Sequence, residues 1–247
     1  MATTTVDQVS VTQFYMNNKK VAIIQSNYIP WKGYFDLINM VDELILFDDV
    51  QYTRRDWRNR NKIKTLNGLQ WLTIPVKVKG HFLEKIKNIF VNDPSWPIKH
   101  WKALYFNYVH APYFSSYEEV FKDLYLNNTS LRLSEINYKF ISAICKILDI
   151  KTKLSWSSNY HIVDGKTDRL INLCKQAGAG EYISGPSAKG YIDSVLFDKA
   201  DIKLRYIDYS SYPEYPQIYP PFEHAVTILD LIFQTGPNAS KYMLSFK

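Results

Sequence analysis

The chain has 247 residues, of which 46% are hydrophobic, and a formal net charge of +6. This length suffices for one sizeable core, and no apolar run approaches the roughly 18 residues of a membrane helix. Two cysteines, Cys145 and Cys174, lie at apolar helical spacing, and the N-terminus lacks a secretory pattern, which together predict a cytoplasmic protein without a membrane span or a metal site.

The first ordered elements are predicted from about residue 20, after a flexible segment over residues 1–19. Val21–Gln25 and Leu44–Phe47 are predicted to be buried strands, with a helix over Gly33–Met40 between them. A strand, a helix and a strand within about thirty residues predict a βαβ unit.

The middle of the chain predicts an insertion in this pattern. Asn67-Gly68 favours a hairpin that joins Arg60–Lys64 to Gln70–Val78. Pro97 suits the first turn of a following helix, and residues 117–148 show helical periodicity. We therefore expect a helical lobe at about residues 93–150.

The last third of the chain returns to alternation of strands and helices. Thr152–Trp156, Glu181–Gly185 and Ile202–Ile207 are predicted strands, Asp168 opens a helix, and Glu223–Phe233 is predicted to be the closing helix. The predicted fold is α/β, a single domain over residues 20–247 with a mostly parallel, Rossmann-like sheet flanked by helices, a β-hairpin insertion and the helical lobe.

Polar residues follow three of the predicted strands. In open α/β sheets, ligands bind outside the carboxyl ends of the strands, so these residues are the candidate site. They are Gln25, Asn27, Tyr28, Trp31, Gly33 and Tyr34 after the first strand, Asp49 and Gln51 after the second, and Ser184, Gly185, Ser187 and Lys189 at a later one.

Several of these positions have two interpretations. Gly33 suits either an anion at the helix N-terminus or close packing of the helix on the sheet. Asp48 and Asp49 point to opposite faces if the strand continues, so only one of them reaches a pocket and the other caps a turn. The turn that contains Lys189 is either an anion-binding nest or an ordinary connection.

The densest basic cluster, RRDWRNRNKIK, directly follows these aspartates. Arginine forks suit phosphate, and tryptophan stacks on a base or a sugar face. The cluster therefore favours phosphate binding over a merely solvated basic face. Its candidate ligand-binding residues are Trp57, Arg58, Asn59, Arg60 and Lys62.

Long motifs resemble one known family. IIQSNYIPWKGYFDLI, LFDDVQYTRRDWRNRNKIKT, QWLTIPV, YISGPSAKGYID and YPQIYPPFEHAVTILDLIFQTG, spread over residues 20–243, are similar to the WbqC-like family of bacterial surface-polysaccharide gene clusters. The resemblance implies a role in biosynthesis of O-antigen or a related glycan.

A second, fainter resemblance is to nucleotidylyltransferases with a His-x-Gly-His turn, such as pantothenate synthetases. Trp31-Lys32-Gly33-Tyr34 stands at the corresponding turn, so the glycine is kept and aromatic residues replace both histidines. The resemblance implies the architecture, whereas the replaced histidines argue against the same adenylyl transfer.

These observations lead to one preferred function and two alternatives. The preferred function is acyl or aminoacyl transfer to the amine of a nucleotide-linked amino sugar, with Gln25, Asn27 and Asp49 in the catalytic roles and Asp49 as general base. The first alternative is a nucleotidyltransferase or adenylate-forming enzyme with ATP and Mg as cofactors. The second is a noncatalytic module that binds glycan or nucleic acid, although nucleic acid is not the expected partner.

Overall fold

The computed structural model describes residues 18–77 and 83–246. The chain groups into two compact units, which we call the sheet unit and the hairpin unit. The sheet unit contains the described residues up to Ile24, together with Leu37–Phe47 and Thr152–Tyr209. The hairpin unit contains the described residues of Gln25–Asp36, Asp48–Lys151 and Ser210–Lys247.

Within these described residues the chain forms seven strands and seven α-helices. The strands are β1 (Lys20–Ile24), β2 (Glu43–Leu46), β3 (Arg60–Thr65), β4 (Gly68–Thr73), β5 (Lys153–Trp156), β6 (Glu181–Ser184) and β7 (Lys203–Tyr206). The helices are α1 (Lys32–Asn39), α2 (Trp96–Tyr108), α3 (Phe114–Leu126), α4 (Leu133–Ile147), α5 (Lys166–Gln176), α6 (Ser194–Lys199) and α7 (Ile228–Thr235).

The sheet unit is built on five parallel strands in the order β5-β2-β1-β6-β7. From β1 the chain adds β2 and then β5 on one side. It then returns and adds β6 and β7 on the other side of β1. The order therefore reverses between β1 and β6, as in Rossmann-type sheets, where this reversal opens a crevice at the carboxyl ends.

Burial explains why these short apolar runs form strands. Val21, Ala22 and Leu44 are fully buried, as expected for strands of a parallel sheet that is covered on both faces. The ring of Tyr182 in β6 stacks on that of Phe197 in α6, with centroids 5.4 Å apart. Apolar packing of this kind therefore stabilises the sheet.

The hairpin unit contains the antiparallel pair of β3 and β4, which are joined at Thr65 and Gly68. Gly68 has a φ of 99°, a value that favours glycine. Aromatic rings hold the helices of this unit together: the centroid of Phe114 lies 6.0 Å from that of Trp101 in α2 and 5.0 Å from that of Phe233 in α7.

The predicted α/β fold with a mostly parallel sheet and a hairpin is confirmed. The closing helix begins at Ile228 rather than Glu223, because the side chain of Thr227 accepts a hydrogen bond from the Leu229 amide and caps the helix there. Strand β4 ends at Thr73, and Val78 lies outside the described residues, as does the predicted flexible segment up to residue 17. The single-domain organisation and the helical lobe as a separate feature stay predictions.

Candidate ligand-binding site

The turn after β1 is held in an unusual conformation by the hairpin. Ile29 has a φ of 36°, which is costly for a β-branched residue. The Asn61 side chain donates to the Ile29 carbonyl at 2.8 Å and to the Tyr28 carbonyl at 3.2 Å, and the Tyr28 amide donates to the Trp57 carbonyl at 3.1 Å. These bonds fix the backbone immediately before Trp31.

Gly33 leaves room for the Trp31 indole. A Cβ atom at Gly33 would lie 2.3 Å from Trp31 Cζ2, which is closer than any tolerated contact. The indole therefore folds over the first turn of α1, and its ring also meets Tyr212 edge-on, with centroids 5.6 Å apart. Of the two interpretations of Gly33, the structure supports close packing, although the packing partner is Trp31 rather than the sheet.

An open pocket forms beside this indole within the hairpin unit. Its volume is about 200 Å³, and we call it the indole pocket. Two tryptophans, a proline and an alanine supply its apolar walls, and two asparagines supply its polar groups. The lining residues are Asn27, Pro30, Trp31, Trp57, Asn61 and Ala225.

A row of cationic and aromatic side chains continues from the pocket along β3 and β4. We call Trp57, Arg60, Lys62 and Trp71 the cation strip. The two indole centroids lie 5.4 Å apart, the Arg60 guanidinium lies 4.1 Å from the Trp71 ring, and Lys62 Nζ lies 5.2 Å from that ring. Both indoles are about 40% exposed, so the strip can meet a ligand.

Arg58 links the strip to the pocket. Its Nη1 donates to Asn27 Oδ1, and its Nη2 lies 3.6 Å from the Asp56 carboxylate. One basic residue predicted to bind phosphate therefore contacts a residue of the pocket wall.

The two aspartates after β2 have different surroundings. Asp48 is buried and accepts hydrogen bonds from the Ser26 amide at 2.8 Å and the Ser26 hydroxyl at 2.7 Å. Burial raises the pKa of the Asp48 carboxyl, against these hydrogen bonds, which lower it. Asp49 lies 2.5 Å from Lys87 Nζ and 3.7 Å from Lys85 Nζ. Neither carboxylate lines the indole pocket.

The turn after β6 lies in the sheet unit. Ser184 is buried beside the Tyr182 hydroxyl, whereas Ser187 and Lys189 are exposed on the short helical turn Pro186–Gly190. Lys189 Nζ lies 5.3 Å from the centroid of the Tyr206 ring. This turn therefore presents one lysine and one hydroxyl near the carboxyl end of β6.

The predicted residues thus fall into three groups. Asn27, Trp31, Trp57, Arg58, Arg60 and Lys62 meet at or next to the indole pocket, with Gly33 beneath Trp31. Four others make internal contacts: the Tyr28 hydroxyl lies 2.8 Å from His100 Nδ1, Tyr34 donates to the Gln25 carbonyl at 3.1 Å, and Asn59 donates to the Ile74 carbonyl at 2.8 Å. The others do not line the pocket: Gln51 forms a β-bridge with Lys85, Asp49 pairs with Lys87, and Ser184, Gly185, Ser187 and Lys189 belong to the sheet unit.

Sequence reasoning missed several residues of the pocket region, including Pro30, Asn61, Trp71 and Ala225. It also missed Lys32, which is 2% exposed and donates to the Pro213 carbonyl at 3.1 Å. Burial lowers the pKa of Lys32 to about 8, against the nearby carboxylate of Asp36, which raises it. In the sequence, the only signal for the strip was the basic cluster with Trp57 that precedes β4.

The strand order and the pocket define an α/β protein with a Rossmann-type sheet and an aromatic pocket beside cationic side chains. The chain belongs to the WbqC-like protein family, whose model matches residues 25–242. It is 51% identical to the protein Rv1507c of Mycobacterium tuberculosis (strain ATCC 25618 / H37Rv) over 225 aligned residues. The alignment covers 91% of this chain and 97% of Rv1507c. No solved structure matches the chain significantly. No helix in residues 18–77 and 83–246 has the length and apolarity required to cross a membrane.

Proposed function

We propose that this protein is an enzyme of surface-polysaccharide biosynthesis that transfers an acyl or aminoacyl group to the amine of a nucleotide-linked amino sugar. Membership of the WbqC-like family supports the biosynthetic setting. The observation that carries the proposal is the indole pocket with the cation strip beside it. Aromatic walls suit a sugar ring, and the neighbouring cations suit the diphosphate that carries it.

The roles of the residues follow from their positions. Trp31 and Trp57 offer ring faces to the sugar, and Asn27 offers an amide to one of its polar groups. Arg58, whose guanidinium contacts Asn27, and Lys62 would bind the diphosphate. The nucleotide then extends along the cation strip, away from the pocket.

The reaction itself requires removal of one proton. The amine nitrogen of the sugar forms a bond to the acyl carbon, the bond from that carbon to the donor's carrier breaks, and the amine loses a proton to a base. Asp49 is our proposed base, and its carboxylate lies 2.5 Å from Lys87 Nζ. We expect Asp49→Asn to lower kcat at least about 100-fold with an unchanged KM. An unchanged kcat would exclude Asp49 from the chemistry.

Calorimetric titration of nucleotide sugars tests the phosphate contacts. We expect Arg58→Ala and Lys62→Ala each to weaken binding about 10-fold or more, because a charge-assisted hydrogen bond is worth about 1.5–3 kcal/mol. Lys122→Ala is the matched control, since Lys122 pairs with Glu119 on the surface of α3. Equal affinities for the wild type and both variants would overturn the proposal.

Two assays on the wild-type protein distinguish the two alternative functions. Exchange of labelled pyrophosphate into ATP with Mg²⁺ and a candidate acid would favour an adenylate-forming enzyme. Affinity for RNA that falls steeply with salt, without preference for a nucleotide sugar, would favour a noncatalytic binding module.

A further inference from the structure

The polar capacity of the indole pocket is small. Asn61 is occupied by the protein, since its amide nitrogen donates to the Tyr28 and Ile29 carbonyls and its oxygen accepts from the Lys62 amide at 2.8 Å. Asn27 Oδ1 accepts from Arg58. Within the described residues, the Asn27 amide nitrogen is therefore the side-chain donor that the pocket wall offers beside the indole N–H groups of Trp31 and Trp57.

The remaining walls are apolar. The side chains of Pro30, Trp31, Trp57 and Ala225 consist of carbon and hydrogen apart from the two indole nitrogens, so they offer a hydroxyl few partners. A volume of about 200 Å³ is also below the 300–1,000 Å³ of pockets that hold drug-sized ligands. The pocket therefore accepts one ring, and most of that ring's surface faces carbon.

A fully hydroxylated hexose fits these walls poorly. A buried hydroxyl without a partner loses its hydrogen bonds to water, which weakens binding by about 5- to 100-fold. A ring with bare carbons or a methyl group in place of hydroxyls avoids this loss and places C–H groups on the indole faces.

We propose that the indole pocket takes a deoxyhexose ring, with its deoxygenated carbons against Trp31 and Trp57 and one polar substituent at the Asn27 amide. This inference rests on the proposed function, because it names the class of sugar that the same site selects. It makes the pocket the determinant of sugar specificity, and it leaves the diphosphate to Arg58 and the cation strip.

A matched pair of ligands tests the inference directly. Thymidine diphosphate glucose and thymidine diphosphate 6-deoxyglucose differ only in the hydroxyl at C6. We expect the deoxy sugar to bind at least about fivefold more tightly, as measured by calorimetry. Thymidine diphosphate alone should bind more weakly than the deoxy sugar.

Two variants assign the preference to the pocket. Ala225→Ser adds a hydroxyl to the pocket wall at an exposed position, so the preference for the deoxy sugar should shrink. Trp71→Ala alters the strip outside the pocket and should weaken both ligands by the same factor, with the preference kept. Circular dichroism of each variant confirms that it is folded.

The possible outcomes separate this inference from the proposed function. Tight but equal binding of the two sugars, or affinity that follows the base rather than the sugar, would overturn the deoxyhexose assignment and leave the proposed function standing. Failure of every nucleotide sugar to bind would overturn the proposed function and the inference with it.

Discussion

The ion pairs around Glu43 make a quantitative prediction about stability. The buried Glu43 carboxylate lies 2.8 Å from Lys19 Nζ and 3.2 Å from Lys153 Nζ, and it accepts a hydrogen bond from the Tyr160 hydroxyl. Burial opposes ionisation, but these hydrogen bonds outweigh it and lower the pKa of the Glu43 carboxyl from 4.5 to about 2.

A pKa lowered by this amount stabilises the folded state by about 3 kcal/mol, because one pKa unit corresponds to about 1.4 kcal/mol. The contribution is fully present above the unfolded-state pKa of about 4.3 and is lost as the pH falls through the folded value. We expect Glu43→Gln to unfold at a lower urea concentration than the wild type at neutral pH. The difference in unfolding free energy between the wild type and Glu43→Gln should shrink by about 3 kcal/mol as the pH approaches 2.

Urea unfolding followed by tryptophan fluorescence at several pH values measures this difference. Glu119→Gln, at an exposed carboxylate of α3, is the control and should show no such dependence on pH. Because Glu43 lies at the amino end of β2, its substitution should leave nucleotide-sugar affinity unchanged. A difference between Glu43→Gln and the wild type that stays constant with pH would refute the reasoning.

Three further substitutions probe the site and its support. Gly33→Ala should displace the Trp31 indole and weaken nucleotide-sugar binding about fivefold or more, with little loss of helix stability; unchanged affinity and fluorescence would contradict this. Asp230→Ala should lower the unfolding free energy by about 3–5 kcal/mol in urea titrations, because the buried carboxylate accepts hydrogen bonds from Tyr108 and Tyr215 at 2.8 Å each. A loss under about 1 kcal/mol would count against this reason. Arg60→Ala should weaken binding about 10-fold by calorimetry, because its guanidinium lies in the cation strip, 4.1 Å from the Trp71 ring. An unaltered Kd would remove Arg60 from the site.

The fold could be predicted because its signals are local. Apolar runs such as Val21–Gln25 indicate buried strands. Asn67-Gly68 indicates a hairpin because its turn preference depends on these two residues and not on distant parts of the chain. The start of the last helix was misplaced because Glu223 continues the helical pattern, whereas the Thr227 side chain caps the helix four residues later.

The site was predicted less completely because its contacts are distant in sequence. Asn61 holds the turn at Ile29 through bonds that span more than thirty residues, and Ala225 comes from the far end of the chain. No periodicity tells which side chains of an irregular turn point inward, so Tyr28 and Trp31 looked equivalent. The structure buries the first beside His100 and places the second at the pocket.

The most direct test of the account is the affinity of thymidine diphosphate 6-deoxyglucose for the Ala225→Phe variant. Ala225 is an exposed residue on the pocket wall, so a phenyl group there can fill the pocket while the buried core stays unchanged. If the sugar binds in the indole pocket, the Kd should rise about 10-fold or more relative to the wild type, at an unchanged unfolding midpoint. An unchanged Kd in the folded variant would contradict the account.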